Sequence, residues 1–159
     1  MLVVSDATPF NILIRAELSH LLPTLFGRVV VPPAVQRELT HPSTPEVIHR
    51  WLATAPPWLE IRAPAHVIEH GPRGRGEREA ISLAQELHAD LLLVDDNAAR
   101  KAAASLGIAI TGTLGVLTRA ADGGLIDLRS AVVRVRAVGL FLSDDLVEQT
   151  FRSRGERSA

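Results

Sequence analysis

The run Leu91-Leu92-Leu93-Val94, closed at once by Asp95-Asp96, constrains the fold of this chain more than any other segment. Four consecutive apolar residues with no polar alternation describe a strand buried on both faces, the situation of a parallel strand covered by helices. Shorter runs of the same kind stand at Leu2-Val3-Val4, Arg28-Val29-Val30-Val31, Trp58-Leu59-Glu60-Ile61 and Ile108-Ala109-Ile110. Helical patterns separate them. Thr8-Pro9 reads as N-cap and first helical position of a helix carrying Phe10, Ile12, Leu13, Ile14 and Leu18. Gly27 stops a short helix over 21–26, and Pro32-Pro33 opens one that runs through Leu39. Further helices are predicted over 45–53, 77–88, 97–106, 114–121, 128–138 and 143–151. Strands alternating with helices predict an α/β fold: three α/β/α layers around a central five-stranded, mostly parallel sheet. Residues 1–151 are expected to form one domain, with polar residues 152–159 a frayed, disordered tail.

In such a sheet the crevice beyond the carboxyl ends of the strands is where chemistry is placed. Asp6 follows the first run, and Asp95 and Asp96 follow the fourth, so three carboxylates from distant segments meet on one edge. Each could instead cap the helix that follows it. Thr8 competes with Asp6 for that role, and a pair of adjacent aspartates supplies one more carboxylate than a cap requires. At about 100° per residue, Glu38 falls between Ala34 and Val35 on its helix, along the apolar face. Glu77 shares a stripe with Ile81 and Ala84, whereas Glu79 falls at the stripe's margin and Glu86 faces away. A carboxylate on a buried face costs several kcal/mol unless it is paired or binds a metal. An arginine partner (Arg78, Arg100 or Arg119) would answer that cost, and so would cations held by a cluster of acids. Oxygen donors without sulfur suit a hard divalent ion such as Mg²⁺, and paired carboxylate-bound metals promote phosphodiester cleavage.

The composition sets limits on partners. The chain of 159 residues carries 17 basic and 18 acidic groups, a net charge of −1. Tight DNA-binding modules are usually basic, whereas an enzyme can take its positive charge from bound metal. There is no cysteine, which excludes disulfides and thiolate chemistry and fits a reducing cytoplasm. No apolar run approaches the ~20 residues of a membrane span, and the N-terminus has no basic leader, so a cytoplasmic location without membrane attachment is expected. Four Phe, two Trp and no Tyr argue against a stacking platform for single strands.

The stretches Val4-Ser5-Asp6-Ala7-Thr8-Pro9, 31–39 around Glu38, Gly76-Glu77-Arg78-Glu79-Ala80-Ile81, 93–100 around Asp95-Asp96, and Thr111-Gly112-Thr113-Leu114-Gly115 occur in an order that resembles the PIN-domain nucleases, in particular their VapC-like prokaryotic branch. The resemblance covers residues 2–150. It implies a PIN-like fold and a Mg²⁺- or Mn²⁺-dependent endoribonuclease, in many members the toxin of a toxin–antitoxin pair with an antitoxin protein as partner. On that resemblance Asp6, Glu38, Glu77 and Asp96 would be catalytic and hold the metal, with Asp95 a further ligand. Two positions depart from the pattern: many members carry Asp at Glu77 and a small hydroxyl residue at Ala7. The alternative reading is a catalytically weak PIN-like protein that only binds or assembles. A receiver- or phosphatase-like domain with one nucleophilic Asp would need a Lys after the fifth strand, where Thr111-Gly112-Thr113 stands.

Other signals carry less. Gly71, Gly74 and Gly76 follow no strand and form no dinucleotide fingerprint. His66 and His70 lack a third ligand, and Ser143-Asp144-Asp145 is a cap with acidic first-turn residues. Arg73 and Arg75 lie in a loop that approaches the crevice; simple solvation outweighs a phosphate contact there. Finally, Val132, Val133, Val135 and Val138 spread apolar groups around one helix, which predicts a homodimer unless residues 140–151 fold back over them.

Overall fold

The computed structural model describes residues 1–155. Its sheet contains β1 (Val3–Ser5), β2 (Val29–Val31), β3 (Leu59–Ile61), β4 (Leu91–Leu93) and β5 (Ile110–Thr111), in the order β3-β2-β1-β4-β5. Every pairing is parallel. The chain fills one half of the sheet outward from β1 and then returns to fill the other. The seam between β1 and β4 is therefore a topological switch point, where the loops leaving adjacent strands diverge and open a crevice.

The alternation of side chains along each strand sorts the core into two layers. Val3, Val29, Val31, Leu91 and Leu93 face α1 (Ala7–Arg15), α2 (Leu21–Phe26), α7 (Thr113–Asp122), α8 (Leu128–Ala137) and α9 (Asp144–Ser153). Val4, Val30, Leu92 and Val94 face α5 (Arg75–Glu86) and α6 (Asn97–Ser105). Two more helices, α3 (Pro33–Leu39) and α4 (Glu46–Ala53), follow β2. Phe10, Trp51 and Trp58 pack with ring centroids 5.7–6.1 Å apart and join α1, α4 and the start of β3.

Several predicted boundaries move. α5 begins at Arg75, two residues early, because Gly74 takes the extended N-cap conformation. β5 lies at Ile110–Thr111, set by pairing with Leu92 and Leu93 rather than by apolarity. α9 continues through Arg152 and Ser153, into the predicted tail; residues 156–159 of that tail lie outside the described residues. Thr8 is not the cap of α1. That helix starts at Ala7, which puts Asp6 at the N-cap position without any side-chain capping bond. The valine-rich α8 is largely covered within the chain: Val132 and Val135 are buried, as are Val147 and Phe151 of α9 that pack in the same cluster.

Candidate active site

Asp6 leaves the end of β1 at the bottom of the crevice and is 4% exposed. Its carboxyl is pushed up to about 7 from 3.8, first by burial, against which the Ala7 N–H pulls, and then by the charges of Glu77, Glu38 and Asp95. A buried carboxylic acid surrounded by like charges holds its proton because the ionised form is poorly solvated and repelled by its neighbours.

Gly76 shows how closely the acids approach one another. A β-carbon on this residue would sit 3.0 Å from Glu38 Oε1 and 3.4 Å from Asp6 Oδ1. Both oxygens thus lie within 3.4 Å of one point, and cannot be farther apart than twice that distance. The missing side chain lets the first turn of α5 press against Asp6 and Glu38. Glu77 begins on the same turn and folds back over the N-cap: a β-carbon on Gly74 would lie 1.6 Å from its Oε2. Glu38 is exposed, contrary to the expectation that it points into the apolar face. It stands in the last turn of a seven-residue helix. Its pKa is still raised, first by local loss of water and then by Glu77.

The pair after β4 divides its labour. Asp96 is exposed and accepts the Ala99 N–H at 2.9 Å, capping α6. Asp95 turns the other way and accepts both the N–H and the hydroxyl of Thr113, each at 2.7 Å, at the first turn of α7. Of the two, Asp95 is the one whose charge acts on Asp6. The charges of Glu77, Glu38 and Asp95 thus act on Asp6, while one Asp96 oxygen, Oδ2, caps α6. Both aspartates hold helix N-terminal N–H groups, so the second carboxylate does have structural work.

Glu79 was expected at the margin of the helical stripe. It is instead the buried glutamate of α5: it accepts the Ala34 N–H at 3.1 Å and the Arg75 Nε–H at 2.7 Å, with Arg37 Nη2 at 3.8 Å. The i, i+4 spacing of Arg75 and Glu79 was the available sequence signal; the contact with α3 had none. Cavities of about 440 and 590 Å³ flank Ile68, on the loop before α5, and include none of the crevice acids.

Among the described residues no three acidic or histidine groups are closed up tightly enough to hold an ion as they stand. The donor chemistry nevertheless fits a hydrated hard cation. Mg²⁺ keeps several of its waters and needs only one or two protein carboxylates, and the Asp6 and Glu38 oxygens approach the same point without an ion-paired basic group among the described residues.

A sequence model described as a PIN domain matches residues 2–156 of the chain. Among solved structures, a PilT N-terminus domain protein from the hyperthermophilic archaeon Sulfolobus solfataricus P2 is similar in fold, with a TM-score of 0.57 at 20% identity over 75% of this chain and 92% of that one. No functionally curated protein matches. The family match over nearly the whole chain, with which the similar fold of that solved structure agrees, establishes that this chain belongs to the PIN-domain family, whose members are generally nucleases that use divalent metal ions.

Proposed function

We propose that the protein is a Mg²⁺- or Mn²⁺-dependent endoribonuclease, the toxin of a toxin–antitoxin pair. The observation that carries this reading is that an Asp6 and a Glu38 oxygen both lie within 3.4 Å of one point at Gly76, where burial and the neighbouring carboxylates push the Asp6 carboxyl up to about 7. Asp6 and Glu38 would hold the ion, and Glu77 and Asp95 would orient its waters from the flanks. When bound, the cation supplies positive charge against the substrate phosphate and lowers the pKa of a water. The chain's own contribution is positional. β1 and β4 fix Asp6 and Asp95, Thr113 keeps Asp95 in one rotamer, and Asp96 pins the start of α6 so that the β4 turn holds its shape. Because ligands must be deprotonated, cation binding expels the Asp6 proton, and affinity should rise as pH climbs through 7.

The binding-only reading draws on a specific observation too: both Asp95 and Asp96 are engaged at helix N-termini. One assay separates the two. Full-length protein is incubated with single-stranded RNA and with DNA of the same sequence, with Mn²⁺, Mg²⁺ or EDTA. Metal-dependent cleavage of RNA, lost in Asp6→Asn, is expected; intact RNA in every lane would overturn the enzyme reading. An RNA substrate and a cysteine-free chain accord with a cytoplasmic location, and no described helix is long and apolar enough to cross a membrane. For assembly, Val133 at 66% and Phe141 at 87% exposure are the apolar groups that α9 leaves uncovered around α8, and a homodimer would bury them. Light scattering returning only a 17.2 kDa species at micromolar concentration would remove the dimer.

A further inference from the structure

The rim of the crevice carries two arginines whose placement the acidic site does not require. Arg37 immediately precedes Glu38, and Arg75 immediately precedes Gly76, so both leave the backbone beside the point where the acids meet. Neither forms an ion pair with Asp6, Glu38, Glu77 or Asp95; both turn instead to Glu79 Oε2, at 3.8 and 2.7 Å. The Glu79 side chain is 5% exposed, whereas those of Arg37 and Arg75 are 67% and 62% exposed. Its other oxygen is tied to the Ala34 N–H, which anchors the carboxylate to α3 as well as α5. One buried negative charge thus holds two largely exposed positive ones, and the cluster presents a net positive face. Arg75 makes its bond through Nε, and the terminal edge of its guanidinium takes no part in that bond.

We infer that Arg37 and Arg75 form a clamp for a backbone phosphate of the single-stranded nucleic acid, with Glu79 as the positioning residue that holds them in place. This rests on the nuclease reading for the identity of the occupant. The physical grounds are the planar fork of guanidinium, which matches phosphate oxygens. A cation already held by a buried partner also loses less freedom when it binds. In a chain of net charge −1, a positive rim beside an acidic crevice gives a polyanion a place to land.

The test measures binding of a labelled single-stranded RNA to the full chain by fluorescence anisotropy, in EDTA so that cleavage does not interfere, across roughly 0.05–0.3 M KCl. Arg37→Gln/Arg75→Gln/Glu79→Gln removes the buried charge along with its partners and strands none, and melting confirms that it folds. We expect about tenfold weaker binding and a slope of log affinity against log salt that is shallower by about 0.7 for each phosphate the protein no longer neutralises. Should the triple variant fail to fold, Arg37→Gln, which removes the more exposed and more distant arginine, is expected to make the slope shallower by about one such step. Arg50→Gln, an exposed arginine on α4, controls for charge and should leave the slope unchanged. If wild type cleaves RNA, the clamp variants should raise KM with kcat within about twofold, the sign of uniform binding. If wild type does not cleave, the nuclease reading fails and the anisotropy slopes still decide the clamp. Unchanged slopes in the clamp variants, an equal loss in Arg50→Gln, or no RNA binding by wild type would each overturn it.

Discussion

Asp6 and Glu79 are equally buried, each 4% exposed, and sit on either side of the same helix start, yet they are opposite kinds of carboxylate. Glu79 has a backbone N–H and two guanidinium groups as partners, and ties α3 to α5. Asp6 is opposed by three other carboxylates and relieved mainly by the Ala7 N–H. Burial alone therefore does not distinguish structure from function in this molecule. What distinguishes them is whether the fold supplies a counter-charge: it does at Glu79, and at Asp6 the neighbours are other carboxylates.

The largest expected effect is on activity. Asp6→Asn should reduce metal-dependent RNA cleavage by more than the ~10–100-fold typical of losing an outer-shell partner, while raising the melting temperature of the metal-free protein. Loss of both activity and stability would make Asp6 a structural carboxylate like Glu79. The next concerns pH. Asp6 titrates near 3.8 when unfolded and at about 7 when folded, so the folded state binds the extra proton between those values. Its contribution to stability is full below about pH 4 and is lost as pH rises through 7, by at most about 4 kcal/mol. Urea unfolding in EDTA at pH 5 and 8 measures this drop, which Asp6→Asn should flatten and saturating Mn²⁺ should offset at pH 8 by mass action. A drop of equal size in the variant would assign it elsewhere.

A smaller effect is expected on the other side of the comparison. Glu79→Ala should destabilise by about 1–3 kcal/mol, because the Ala34 N–H is left buried without an acceptor while the exposed arginines rehydrate. Unlike Asp6→Asn, its loss should not depend on divalent cation; a cation-dependent loss would move Glu79 into the metal site. The smallest stability change is expected for Gly76→Ala. Alanine favours a helix by up to ~1 kcal/mol over glycine, but the new methyl must displace Glu38 Oε1 from 3.0 Å. Activity should fall several-fold with the melting temperature unchanged or slightly raised. Full activity would show that the Asp6–Glu38 approach is not used.

The sheet was legible because a strand covered on both faces must be apolar throughout, as at 29–31 and 91–93, and because two of the apolar runs, at 2–4 and 91–94, lead into acids. That reasoning placed Asp6, Asp95 and Asp96 on one edge, since parallel strands share a carboxyl end. Local periodicity was a poorer guide to the glutamates. Helical angle separates Glu77 from Glu79 by two residues, about 200°, yet the face that becomes buried depends on where α3 docks. Ala34 and Gly76 set that docking across more than forty residues of sequence. The Asp95-Asp96 pair illustrates the same limit. Two adjacent acids after a strand declare a site or a cap, and only the arrival of Thr113 at the start of α7 decides that Asp95 is held there while Asp96 caps α6. By itself, then, the sequence determined the layers, the parallel direction of the strands and the acidic edge, because burial and strand direction are local properties. Which acids lack a counter-charge was decided by the tertiary structure, because electrostatic partners are chosen by proximity in space and not along the chain.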